Sequence, residues 1–87
     1  MKARDIGFDR ICYECPEQYE AYDSFGSLVG YVRIRYGRCE AWCPDAGSDV
    51  KVYNKKIRGW WSFRSELERL IHLRRISQAI AHWWNHQ

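Results

Sequence analysis

The stretch that decides the fold is Leu28-Val29-Gly30-Tyr31-Val32-Arg33-Ile34-Arg35-Tyr36. Side chains along a strand point alternately to the two faces of a sheet, so a period of two sorts this run cleanly. Leu28, Gly30, Val32, Ile34 and Tyr36 take one face, and Tyr31, Arg33 and Arg35 take the other. A strand with one aliphatic side and one cationic side belongs to an antiparallel sheet that is covered on a single face.

The flanking residues extend the pattern. Gln18 to Asp23 alternates and Ser24-Phe25-Gly26-Ser27 has turn chemistry, which makes a hairpin with the strand that follows. On the far side, Gly37-Arg38 turns the chain into a third strand at Cys39 to Cys43. Pro44 to Ser48 is a loop, Asp49 to Asn54 is a candidate fourth strand, and Lys55 to Gly59 is a basic connector. Residues 1–16 lack clear periodicity and read as an irregular arm or short strand before a β-meander over 17–54.

The period then changes. Phe63, Leu67, Leu70, Leu73, Ile76, Ile80 and Trp83 or Trp84 recur at steps of three and four, which predicts an amphipathic helix over 62–84. Ser62 or Ser65 can cap it, and Ser65-Glu66-Leu67-Glu68 fits a capping box. The expected fold is α+β: an antiparallel sheet of three or four strands with one long C-terminal helix packed on one face. At 87 residues there is room for one core and one domain, 1–87.

Aromatic residues make up 16% of the chain, more than so small a core needs, so some belong on the surface. The net charge of +3 is unevenly spread. Asp5, Asp9, Glu14, Glu17, Glu20 and Asp23 dominate the first third, whereas residues 51–75 are strongly basic, which favours an acidic partner. Met1-Lys2-Ala3-Arg4-Asp5 leads into no apolar run of secretory length, and no stretch is apolar enough to span a bilayer. The expectation is a cytoplasmic chain with no membrane partner.

The sheet face opposite the helix is then predicted to interleave Tyr22, Tyr31, Trp42 and Tyr53 with Arg33, Arg35 and Lys51. Rings with cations between them suit a protein patch anchored by Tyr, Trp and Arg, or single-stranded nucleic acid whose bases stack while its phosphates pair with Arg. The candidate partner-binding residues are Tyr31, Arg33, Arg35, Trp42 and Tyr53, with Lys55, Lys56, Arg58, Trp60 and Trp61 as a second edge.

Four cysteines, Cys12, Cys15, Cys39 and Cys43, leave two readings open. One is a single structural zinc, which suits thiolate ligands in a small domain. Against the full set, an extended Cys39–Cys43 separates its Cα atoms by roughly 13 Å at about 3.3 Å per residue. The other reading has no cofactor and treats Cys39 and Cys43 as small buried hydrophobes. Any zinc here is structural, since no general base accompanies it. No phosphate-cradling glycine loop is present, and His72 reads as a boundary residue within the helix, so the chain is expected not to be an enzyme.

The runs Glu14 to Asp23, Val29 to Gly37 and Cys43-Pro44-Asp45, with Gly59-Trp60-Trp61-Ser62-Phe63, resemble small phage and prophage accessory proteins of unassigned role. Such proteins include anti-CRISPR inhibitors, which block a nuclease complex by occupying its nucleic-acid or partner site. The resemblance implies a host protein or ribonucleoprotein complex as the partner, in the cytoplasm of a bacterial host. The residues alone leave a small nucleic-acid-binding domain as the alternative.

Overall fold

A computed structural model describes residues 1–14 and 16–87. Strands Gly7–Cys12 (β1), Gln18–Tyr22 (β2), Leu28–Arg35 (β3), Arg38–Cys43 (β4) and Val50–Lys56 (β5) pair in chain order as one antiparallel meander. The helix Glu66–Asn85 (α1) crosses one face. The α+β class is therefore as expected, but the sheet has five strands where the sequence alternation delineates three or four. The additional strand is β1. Its alternation is masked because Arg10, on the covered face opposite Tyr19, reaches an acid rather than an apolar neighbour.

β3 behaves as its sequence dictates at the centre and not at the ends. Val32 and Ile34 are fully buried beneath α1, and the helix lies so close that a Cβ on Gly30 would stand 2.8 Å from Ile80 Cδ1. Leu28 and Tyr36 are exposed instead of inward. Tyr36 belongs to the turn: Tyr36 and Gly37 have φ of 56° and 75°, the left-handed pair whose twist suits a two-residue hairpin between right-twisted strands. At the other end, Asp23 Oδ1 accepts from the backbone N–H groups of Phe25 and Ser27, both at 2.9 Å, and closes the β2–β3 turn.

Ser65 caps α1, its Oγ accepting from Glu68 N at 3.1 Å. The Glu68 carboxylate reaches back to Arg64 N at 3.0 Å, one residue before the cap. The buried face of the helix is His72, Ile76, Ser77, Ile80 and Ala81, and each fully buried Ile contributes about 1.5–3 kcal/mol. Leu67 and Leu70, expected on that face, are exposed. Arg69 and His72 take the inward positions there, because each has a polar partner beneath it.

The partner of Arg69 is Glu17, whose carboxylate is fully buried just before β2. Arg69 Nε and Nη2 reach its two oxygens at 2.8 and 3.2 Å, Phe63 N donates to it at 3.2 Å, and Tyr19 Oη also donates to it. Arg10 Nη2 approaches to 3.5 Å. Burial alone would raise the Glu17 pKa. Hydrogen bonds from Arg69 and Tyr19 and the charges of Arg69 and Arg10 outweigh it, and the carboxyl is held below its ordinary value of 4.5. His72 is not a boundary residue but a core one. Its Nδ1 lies 2.7 Å from Tyr53 Oη, its ring stacks on Phe63 at 5.5 Å, and burial pushes its pKa below 6.5.

Both shifts are depressions, so the unfolded chain binds more protons than the folded one and stability falls with falling pH. The His72 contribution starts to be lost as the pH drops through 6.5, and the Glu17 contribution below 4.5. Denaturant titrations from pH 8 to pH 2 are expected to show both steps, and His72→Gln to retain only the lower. An upper step of equal size in the variant rules out His72 as its source. The contact at Gly30 gives a second expectation: Gly30→Ala lowers unfolding stability by about 1–3 kcal/mol, through overpacking against Ile80.

Candidate partner-binding face

The face of the sheet turned away from α1 is built from three cross-strand rows. Asp9, Glu20, Tyr31, Trp42 and Lys51 stand opposite one another across all five strands. Gln18, Arg33, Glu40 and Asn54 form the next row, and Arg35, Arg38 and Lys56 the last. The face is polarised, acidic on β1 and β2 and basic where β3 ends, β4 begins and β5 ends.

Trp42 is the centre of the first row. Its ring meets Tyr31 at 5.8 Å, Arg33 lies over it at 5.0 Å, and Lys51 Nζ at 5.5 Å, with Lys51 also paired to Glu40. Tyr31 points to this face as expected, but Trp42 and Gln18 cover it and leave it 8% exposed, with its hydroxyl donated to Gln18. It supports Trp42 and is not itself an exposed anchor.

Tyr53 lies on the other face from the one its alternation predicts. It was expected beside Lys51 on the open face, yet it is buried under α1 against His72. A bulge pairs Ala41 with Tyr53 and Trp42 with Lys51, so the extra residue Val52 reverses the alternation between two positions of like parity.

The last row opposes three cations with no intervening acid. Like charges directly opposite are destabilising in a sheet, so this row is retained at a cost. Among the described residues, no carboxylate lies within ion-pair distance of Arg33, Arg35, Arg38 or Lys56. The buried Nε atoms of Arg33 and Arg35 have no hydrogen-bond partner. Arg38 Nε donates to Asn54 at 2.9 Å. Beside this row, Arg35 lies 4.9 Å over Tyr36, which packs against Trp60 and Trp61 at 6.0 and 5.1 Å. Trp60 is 58% exposed, so the aromatic edge predicted from the sequence adjoins the cations.

Lys55, Lys56 and Arg58 do not act together. Lys56 joins the open-face row, Lys55 stands opposite Cys39, and Arg58 lines a groove beside α1. The acids Asp9 and Glu20 of the open face were not among the sequence candidates. Alternation along β2 already turns Glu20 outward, whereas Asp9 is revealed by the cross-strand register, which a bulge shifts in three of the four pairings.

Comparison with protein-family models, curated proteins and solved structures finds no match for this chain.

Cys39 and Cys43 lie fully buried on the helix-covered face of β4, while Cys12, paired with Gln18, falls in register with the open face. The structure does not bring these three together, and Cys15 lies outside the described residues. Among the described residues, no three metal-ligating side chains converge. His82 and His86 are exposed, and His86 Nδ1 sits 2.7 Å from the His82 carbonyl. Burial pushes the Cys39 thiol up to about 12 and the Cys43 thiol up to about 11. Both stay protonated and unreactive at neutral pH. Alkylation of the native protein followed by mass spectrometry is expected to label Cys12 well before Cys39 or Cys43. Equal labelling rates in the absence of denaturant contradict the burial of the two core thiols.

Proposed function

We propose that this chain is a non-enzymatic binding domain that docks through its open sheet face on an acidic surface of a partner protein. The observation that carries the reading is the Arg35–Arg38–Lys56 row, with Arg33 beside it, in which no cation is ion-paired among the described residues and which Tyr36 and Trp60 border. Arginine next to exposed aromatic rings is the composition of interface anchors, and the acceptors that would complete it are carboxylates.

A phage-encoded inhibitor of a host defence nuclease complex fits this reading, and the charge supplies the mode. A cationic face does not imitate a nucleic acid. It competes for an acidic patch on the complex, steered there by complementary charge.

Direct binding of nucleic acid is the second reading, favoured by the same unpaired guanidiniums and by the exposed rings of Tyr36 and Trp60. Trp42 weighs against it. Cations already lie over that ring, so it is not free to stack on a base.

Arg35→Glu and Trp42→Ala separate these readings. Arg35→Glu faces Arg38 and is expected to leave the fold intact, as circular dichroism can verify. In pull-downs from nuclease-treated bacterial lysate, the wild type is expected to retain specific proteins that both variants lose by about tenfold or more. Equal retention by all three sinks the protein-docking reading. Oligonucleotide anisotropy tests the second: single-strand binding whose affinity falls with salt, with a slope of about −0.7 per phosphate contacted, supports it.

A further inference from the structure

We infer that the groove between the 58–65 connector and the first turns of α1 is a second docking site, on the other side of the sheet, for an acidic amphipathic helix of a partner protein. Its apolar element is Leu67, Leu70 and Ile71, which are 68%, 57% and 41% exposed. Their spacing of i, i+3 and i+4 places three aliphatic side chains together on one face of a helix. Scattered single aliphatics on a surface are ordinary, whereas a contiguous set beside a concavity marks an interaction site.

The exposure is imposed by the fold. The Arg69–Glu17 ion pair and the His72–Tyr53 contact set the rotation of these turns, and they hold the aliphatic stripe outward. A rotation that buried Leu67 and Leu70 would pull Arg69 away from a fully buried carboxylate. Removing one partner of such a pair is strongly destabilising. Leu67 and Ile71 line a groove of about 570 Å³ whose other walls are Arg58, Arg64, Ser65, Glu68 and His72, and Leu70 extends the aliphatic surface beside it on the same helix.

Charge selects the occupant. Arg58 and Arg64 line the groove, and Arg74 follows on the exposed side of the helix. Among the described residues, none of the three has a carboxylate within ion-pair distance. Of the two nearby acids, Glu66 pairs with Arg69, and Glu68 stands in the groove wall with its carboxylate turned to Arg64 N, so the lining holds two guanidiniums to one carboxylate. A second copy of the chain would bring the same arginines face to face, which disfavours self-association here. A nucleic acid would meet an aliphatic floor whose one ring, His72, is buried and already stacked on Phe63. A helix with aliphatic anchors at i, i+3/i+4 and i+7 and flanking Asp or Glu satisfies both the floor and the rim. Because α1 covers the face opposite the Arg35–Arg38–Lys56 row, both surfaces are open to occupation at once.

The test uses a phage-displayed library of helical peptides selected on the full chain and counter-selected on Leu70→Asp. Recovered sequences are then measured by fluorescence anisotropy against the wild type, Leu70→Asp, Arg64→Glu and Arg35→Glu. The first two substitutions fall on exposed side chains, so circular dichroism is expected to be unchanged. The expected result is enrichment of acidic amphipathic sequences with micromolar affinity, weakened about tenfold or more by Leu70→Asp and by Arg64→Glu and unaltered by Arg35→Glu. Three results overturn the proposal: no sequence that distinguishes the wild type from Leu70→Asp, enrichment of basic peptides, or sedimentation showing a wild-type dimer that Leu70→Asp dissociates.

Discussion

The buried carboxylate of Glu17 is the constraint on which the rest of the molecule depends. It receives Arg69 from α1, Arg10 from β1, the Tyr19 hydroxyl from β2 and the Phe63 amide from the connector. Its own backbone adds two more ties, since Glu17 N donates to the Trp61 carbonyl and Glu17 O accepts from Ile34 N, both at 2.9 Å. Four parts of the chain thus meet at one side chain. An unpaired carboxylate in that position would carry a penalty of several kcal/mol, so the cluster is complete or the local structure fails. The meander needs nothing of the kind, because each strand pairs with its neighbour in sequence. What Glu17 specifies is how the helix and the connector seat against the sheet.

That seating distributes the remaining surface. With α1 committed to one face, the opposite face keeps the Trp42 cluster and the row of cations. With the first turns of α1 rotated to satisfy Arg69 and His72, an aliphatic stripe faces solvent. The two exposed surfaces have different chemistry, one aromatic and guanidinium, one aliphatic with a basic rim. Both carry more arginine and lysine than acid, in keeping with the basic stretch after residue 50.

The parts of this arrangement written in local periodicity could be read without coordinates. Val32 and Ile34 against Arg33 and Arg35 follow from alternation alone, and Ser65 as the helix cap follows from its side chain. Tyr53 could not be read, because a single extra residue at Val52 inverts every side chain beyond it and leaves no mark in composition. β1 was obscured because an inward arginine resembles an outward one until its acid is known. The phase of α1 departs from its apolar period for the same reason: Leu67 and Leu70 extend that period, but an ion pair 52 residues apart in sequence outranks it. The bulge at Val52 apart, long-range polar contacts rather than hydrophobic ones account for these differences.

The meander leaves β1 and β5 as free edges, each with backbone donors and acceptors that another strand could use. β5 carries Lys51, Lys55 and Lys56, all exposed, and β1 is interrupted by a bulge between Arg10 and Cys12. Lysines along one border and a kink in the other are the means by which natural sheets refuse further strands. The basic residues of β5 therefore oppose the addition of a sixth strand at that border.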